Sequence, residues 1–343
     1  MISRLSVPFA LFALLAGCGQ SATAPVLEPG PSGITNLPMS VGGARKSPPV
    51  QFFGTNLPWP EDITVGPDGN IWFTEFYANE IARITPSGTI TQFSLGNGGA
   101  GEGITVGPDA NLWVAEPGSD TIGRITTTGT VTNFQVVGSN PSPRNIAVGP
   151  DGNLWFTEFY DGYLDRITTA GVITRFQISP SSQPWDVIAG PDGNMWFTDS
   201  DNDALGRFSP ASQKFLSPIA LAHGTNPWAL TIGPDHDIWF TGRSSGTIGT
   251  VASGKVTQFT IPGPSGSYPD SIAVGPDGKL WFTESLTGGV GHFNAATKKF
   301  LPRIALTNKD IPTGIAAGRD GNVWFTNPSY DPSHQRIGVV LLH

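Results

Sequence analysis

The sequence predicts an all-β fold, a seven-bladed β-propeller of four-stranded antiparallel blades, and three observations carry that expectation. The stretch Gly66-Pro67-Asp68-Gly69-Asn70-Ile71-Trp72-Phe73-Thr74-Glu75 returns in variant form six more times. Its tryptophans, Trp72, Trp113, Trp155, Trp196, Trp239, Trp281 and Trp324, recur every 41 to 43 residues, the period of a blade made of four short strands. No segment inside the repeat carries apolar residues at helical spacing over the length a helix needs.

Within the first repeat, Ile63-Thr64-Val65 is a β-branched run, Pro67-Asp68-Gly69-Asn70 is a turn, and Ile71-Trp72-Phe73-Thr74 resumes a strand. Proline presets φ at the first turn position, aspartate caps the turn through its side chain, and glycine takes the positive φ that β-branched residues avoid. Ile81-Ala82-Arg83-Ile84 and Thr89-Ile90-Thr91-Gln92-Phe93 follow as third and fourth strands, separated by the tight turn Pro86-Ser87-Gly88. The 44 glycines and 31 prolines supply the turns that seven such units need. Each repeated tryptophan can bury roughly 150–250 Å², so the seven are read as a packing layer between blades and not as ligand contacts.

The last repeat reaches its third strand at Arg336-Ile337-Gly338-Val339-Val340-Leu341-Leu342 and has no fourth. Pro49-Val50-Gln51-Phe52, ahead of the first repeat, matches the fourth-strand pattern Thr91-Gln92-Phe93, Thr132-Asn133-Phe134, Thr174-Arg175-Phe176 and Thr257-Gln258-Phe259. The N-terminal strand is therefore expected to complete the last blade, which removes an open strand edge.

Arg4 precedes an apolar run from Leu5 to Leu15, too short to span a bilayer, which leads into Leu15-Ala16-Gly17-Cys18. This resembles a bacterial lipobox, whose cysteine is lipidated and becomes the new N-terminus. Cys18 is the only cysteine, so no intramolecular disulfide can form. Residues 1–17 are read as a lipoprotein signal peptide, 18–49 as a flexible Ser/Ala/Pro/Gly-rich tether carrying lipidated Cys18, and 50–343 as the propeller. The expected location is the bacterial cell envelope, membrane-attached through that lipid. Gly19 after the cysteine favours the outer membrane in a Gram-negative host.

A net charge of −8 argues against nucleic acid and against electrostatic attachment to anionic lipid. The chain has no Gly-x-Ser-x-Gly elbow and no phosphate-cradling loop, and a sole cysteine spent on lipid leaves no thiol for catalysis. A monomer is expected.

Function is expected on the face opposite the repetitive turns, where variable loops lie over a rigid scaffold. Loops leading into each first strand read Pro60-Glu61-Asp62, Gly101-Glu102-Gly103, Pro143-Arg144-Asn145, Pro184-Trp185-Asp186, Pro227-Trp228-Ala229, Pro269-Asp270-Ser271 and Pro312-Thr313-Gly314. The positions after each second strand are Glu75, Glu116, Glu158, Asp199, Gly242, Glu284 and Asn327. Five of these seven are acidic, and they are expected to ring the channel mouth, where they could hold Mg²⁺ or Ca²⁺ or supply a general acid or base. Trp185 and Trp228 break the repeat pattern and are read as ligand contacts, with Tyr268, Phe76-Tyr77 and Phe159-Tyr160 on the same face.

The motif Gly-Pro-Asp-Gly-Asn-Leu-Trp-Phe-Thr-Glu, followed by Ile122-Gly123-Arg124-Ile125-Thr126 and by Thr-x-Phe, resembles the virginiamycin B lyase (streptogramin lyase) family over residues 51 to 343. That resemblance implies a seven-bladed propeller. It also implies linearisation of a cyclic depsipeptide antibiotic by elimination at an ester, with a metal ion, usually Mg²⁺, and a histidine base. The family's two histidine and two glutamate positions fall here on Asp270, Thr313, Ile311 and Pro328, so none of them keeps its chemistry.

Two readings follow. In the first the protein is a binding or interaction module for a small-molecule, glycan or protein ligand, held by Trp185, Trp228, Glu158, Asp199, Asp270 and Arg144. In the second it is a divergent metal-dependent lyase or hydrolase, with Asp270, His223 or His334 as base and Glu75 and Glu284 as metal ligands.

Overall fold

The computed structural model describes residues 48–263 and 266–342. Seven antiparallel sheets follow one another along the chain, and blades 1 to 6 have their strands in sequence order from the channel outward. The innermost strands are Pro60–Val65, Ile104–Val106, Pro143–Val148, Pro184–Ala189, Pro227–Ile232, Pro269–Val274 and Ile315–Ala317. Each touches the next around the circle, and the seventh touches the first. In blade 6 the outer strand is split into Lys299–Phe300 and Ile304–Ala305, both paired with Gly289–Asn294. The expected signal peptide, Cys18 and most of the tether lie outside the described residues.

The closure expected from the sequence is present. Val50–Phe53 pairs antiparallel with Arg336–Val340, Val50 opposite Val340 and Phe53 opposite Ile337, and so forms the outer strand of blade 7.

Seven apolar clusters, one per blade interface, make up the core. Trp72 lies with Ile104, Leu112 and Val114 of blade 2, and Trp324 lies with Ile63 and Phe73 of blade 1. Every repeated tryptophan donates its indole N–H to the aspartate of its own Pro-Asp turn (Asp320 in blade 7), at 2.9 Å from Trp72 to Asp68 and 3.0 Å from Trp196 to Asp192. That aspartate oxygen also accepts an amide two residues on, as Asn70 N to Asp68 Oδ1 at 3.1 Å. One side chain thus closes the turn and satisfies the buried indole. The glycine before the turn is obligatory for the same reason, because a Cβ on Gly66 or Gly149 would collide with the indole.

A second device joins blade to blade at the channel. The second-strand threonine accepts an amide from its own inner strand and donates to a carbonyl of the next blade. Thr157 Oγ1 accepts from Asn145 N at 3.3 Å and donates to Trp185 O at 2.7 Å. Thr326 Oγ1 accepts from Gly314 N at 2.7 Å and donates to Glu61 O at 2.6 Å, across the ring closure. Blade 2 has Ala115 at this position, and there Gly103 N donates directly to Arg144 O at 2.9 Å. Gly103 is required for that approach, since a Cβ would meet Arg144 O at 2.7 Å.

Candidate functional site

The segments read from sequence as loops leading into each blade are largely part of the inner strands. Pro60 pairs with Glu75 and Ile63 with Phe73, so one extra residue bulges between them, and blades 3, 4, 5 and 6 repeat the slip. A proline can begin the strand because its missing N–H costs no ladder bond there. The bulge re-aims the side chain after the proline towards the channel mouth.

Four of those side chains, Arg144, Trp185, Trp228 and Asp270, form a continuous belt with Glu102 of blade 2 and one loop residue, Arg243. Arg144 Nη1 lies 2.5 Å from Glu102 Oε2, and its guanidinium stands 4.9 Å from the Trp185 ring centroid. Trp185 stacks on Trp228 with centroids 3.7 Å apart. The Arg243 guanidinium covers Trp228 at 4.0 Å, and its Nε lies 2.7 Å from Asp270 Oδ1. Phe159 meets Trp185 edge-on at 5.4 Å, and Tyr268 lies 5.6 Å from Arg243. The structure therefore brings together Arg144, Trp185, Trp228 and Asp270 of the six expected binding residues.

Glu61 completes the mouth. Burial, then the Glu102 and Asp270 carboxylates, push its pKa up to about 8, with Arg243 acting in the opposite direction. Trp59 Nε1 donates to Glu61 Oε2 at 3.0 Å. Burial also raises Glu102 and Asp270, each opposed by its arginine. Asp62 and Asp186, one residue further in, are bound to the next blade through Ile104 N at 2.9 Å and Leu230 N at 2.6 Å. Their carboxylates act as blade connectors, and burial holds them up at about 6 and about 7.

The acids expected after the second strands are the last residues of those strands and do not line the mouth. They are buried inside their own blades because Thr74 and Glu75 point to opposite faces of the sheet. Glu158 is held by Arg175, with Arg175 Nε to Oε1 at 3.1 Å. Asp199 accepts from Ser182 Oγ at 2.9 Å and Asn202 Nδ2 at 2.9 Å. Glu75 accepts from Gln92 Nε2 at 2.7 Å in blade 1, and Glu284 accepts from Arg303 Nε at 3.0 Å in blade 6. The two carboxylates expected to share a cation thus sit in separate blades with separate partners.

The two candidate histidines have partners outside the belt. His223 is exposed, its Nδ1 3.3 Å from Asp203 Oδ2. His334 lies in the 3₁₀ turn Pro332–His334, its Nδ1 3.2 Å from Ser333 Oγ. At the positions matching the family's catalytic set, Asp270 is paired with Arg243, while Thr313 Oγ1 donates to Glu61 O at 3.0 Å. Ile311 and Pro328 offer no side-chain donor. Among the described residues no three His, Cys, Asp or Glu side chains converge as a metal set. These residues do not fit the family's metal ion.

Three residues of the mouth escaped the sequence reading. Arg243 follows Gly242, the one position after a second strand that lost its polar side chain. Trp59 and Tyr330 meet at a tilt, with ring centroids 5.3 Å apart. Ten tryptophans less seven repeated ones leave Trp59, Trp185 and Trp228, and counting all ten would have found Trp59.

Blade 3 contains a further departure from the repeat. Asp165 stands where blades 4 to 7 have Gly206, Gly249, Gly291 and Gly338. It is buried without a hydrogen-bond partner, its Oδ2 3.3 Å from Arg175 Nε, in competition with Glu158 for that one guanidinium. Burial and the Glu158 carboxylate hold its pKa far above the usual carboxylate range. The native state keeps a proton that the unfolded chain releases near about pH 4, so Asp165 lowers stability as pH rises from there. Asp165→Asn is expected to raise the unfolding midpoint at about pH 8 by a few degrees, a gain of about 1–2 kcal/mol, and to leave it unchanged at about pH 4. Thermal unfolding at the two pH values checks this.

A propeller closed by its N-terminal strand, with an aromatic and charged mouth on its variable face, is the class these features define. The chain belongs to the virginiamycin B lyase family, whose sequence profile matches residues 51–216 and 179–338. Its fold is similar to a crystal structure of catalytically inactive virginiamycin B lyase from Staphylococcus aureus with quinupristin, at 30% identity and TM-score 0.78, over 86% of this chain and 99% of that one. A streptogramin B lyase structure is 26% identical with TM-score 0.78, over 85% and 97% of the two chains. The extracellular domain of the one-component system BT4673 from B. thetaiotaomicron, 16% identical with TM-score 0.65 over 82% of this chain and 40% of that one, shares the fold alone. No curated protein matches the chain in sequence.

Proposed function

We propose that this protein is an exported, lipid-anchored binding propeller that retains a ligand at its channel mouth without turning it over. The observation that carries the reading is the Trp185–Trp228 stack, held between Arg144 and Arg243, each of which is itself held by an acid. Such a platform is built before any ligand arrives, so little ordering entropy is lost on binding. It suits a ligand with a flat ring, a sugar or an aromatic group. A relative solved with quinupristin supports a small molecule as ligand on this fold. Cys18 is the proposed lipid attachment.

The test is calorimetric titration with quinupristin, followed by chromatography of the mixture. Binding with the compound recovered intact is expected. The double variant Trp185→Ala/Trp228→Ala should weaken it about thirtyfold or more, about 2 kcal/mol for two aromatic anchors. Ring-opened product, or a variant that binds as the parent does, would overturn the proposal.

A further inference from the structure

The third tryptophan outside the repeat stands apart from the belt, at the seam where the seventh blade meets the first. Trp59 sits between Tyr77 and Tyr330, with centroids 5.3 Å from each and interplanar angles of 56° and 59°. Tyr77 is 63% and Tyr330 76% exposed, which leaves open ring faces on both sides of the indole. Arginines cover the aromatics of the belt, with Arg144 over Phe159 and Trp185 and Arg243 over Trp228 and Tyr268. Among the described residues no Lys or Arg stands over Trp59, Tyr77 or Tyr330.

The adjoining carboxylate is distinguished in the same way. Of the three acids at the mouth, Glu102 has Arg144 and Asp270 has Arg243. Glu61 has the Trp59 indole N–H as its side-chain hydrogen bond and, among the described residues, no ion pair. An uncovered aromatic group and an unpaired carboxylate therefore meet at one indole.

The backbone holds this arrangement in place. Trp59 adopts φ of 59°, a left-handed conformation that a bulky side chain takes only under constraint. The constraint comes from both blades: Asn56 N donates to Pro332 O at 3.0 Å and Leu57 N to Gln335 O at 3.1 Å in blade 7, while Phe76 N donates to Trp59 O at 3.0 Å in blade 1.

We propose that Trp59, Tyr77, Tyr330 and the Glu61 carboxylate form a site for an alkylated ammonium group, quaternary ammonium above all, carried by the ligand. Ring faces attract a cation but accept no strong hydrogen bond, so a methylated ammonium suits them better than a bare one, which would lose its water without replacement. The carboxylate then supplies the counter-charge. This inference rests on the reading of the mouth as a binding site and adds the ligand's charge to it.

The site should couple to protons. The charged groups facing Glu61 are Glu102, Asp270 and Arg243, with Arg144 on Glu102 and with the Lys309–Asp331 pair and His334 beside Tyr330. With its pKa up at about 8, Glu61 is largely protonated at neutral pH until a cation displaces the proton. Affinity for a quaternary ammonium should then rise with pH through that value, with a proton released on binding.

The experiment is calorimetric titration of the full-length protein with choline and with its neutral isostere 3,3-dimethylbutan-1-ol. Choline is expected to bind about tenfold or more tighter than the isostere. Its affinity should rise about tenfold or more between about pH 6 and about pH 9, with a heat that depends on the buffer. Tyr330→Ala and Tyr77→Ala remove exposed rings and leave the fold intact, and each should weaken choline about fivefold. Glu61→Gln keeps the Trp59 hydrogen bond and should flatten the pH dependence. Equal binding of choline and isostere, or no choline binding up to about 50 mM, an affinity too weak for cation–π recognition to matter, overturns the inference. If quinupristin is still retained through Trp185 and Trp228 in that case, the binding reading survives alone, whereas loss of both removes both.

Discussion

A chain lacking Val50–Phe53 is expected to lose its closed fold. These four residues pair with Arg336–Val340 and supply two rings to the closing interface. Phe53 stacks on Trp324 at 5.5 Å, Phe52 meets Phe325 edge-on at 5.9 Å, and the Arg336 guanidinium lies 3.6 Å from the Phe52 centroid. A core ring lost to alanine costs about 3–5 kcal/mol, and half-buried ones about 2 kcal/mol each, a large share of the roughly 5–15 kcal/mol that holds a domain folded. The deletion also bares the hydrogen-bonding edge of an apolar strand, Arg336–Val340, which can recruit a second chain. Size-exclusion chromatography should show oligomers or aggregate, and thermal unfolding a loss of the cooperative transition. A monomer with an unchanged midpoint would show that blade 7 closes without this strand.

The part of the fold that was legible is the part that is local and repeated. A Pro-Asp-Gly turn, a tryptophan five residues after the proline and a period-2 strand are each short-range signals, and seven copies let the irregular ones be read from the regular ones. Closure was legible because Thr91-Gln92-Phe93 and its counterparts define a fourth strand that Val50-Gln51-Phe52 matches. The direction of individual polar side chains was not. Glu75 and Thr74 are neighbours in sequence, yet one faces strand partners in its own blade and the other latches the next blade. A signal did exist: Glu75 with Gln92 and Glu158 with Arg175 are each 17 residues apart, and Glu284 with Arg303 is 19. An acid matched at that distance by a polar partner on or beside the fourth strand is paired within its own blade.

The belt at the mouth was only half visible for a related reason. Arg144, Trp185, Trp228 and Asp270 occupy equivalent positions in successive blades, so alignment of the repeats puts them on one circle. Arg243 reaches that circle from a different loop, and no alignment of repeats places a long flexible side chain across a neighbouring strand. Asp270, expected from the sequence as a ligand contact or a base, is the carboxylate it pairs with.

Arg243→Leu is the substitution with the largest expected effect within the site. It leaves Asp270 buried with its ion-pair partner Arg243 gone, and breaking a buried pair from one side costs about 3–5 kcal/mol. It also removes the charge that opposes the elevation of Glu61, so that carboxyl should titrate still higher. Arg243→Leu/Asp270→Asn removes both charges together, and most of the lost stability should return, because a neutral amide is far less costly to bury than an unpaired carboxylate. The two variants therefore separate stability from recognition. The single variant should fall by about 10 °C or more in midpoint if the domain follows ordinary scaling, and the double variant by only a few degrees. Both should lose quinupristin binding to a similar degree, because the guanidinium covering Trp228 at 4.0 Å is absent from each. A double variant that regains stability and binding together would show that Arg243 serves the fold alone and that the stacked tryptophans need no cation above them.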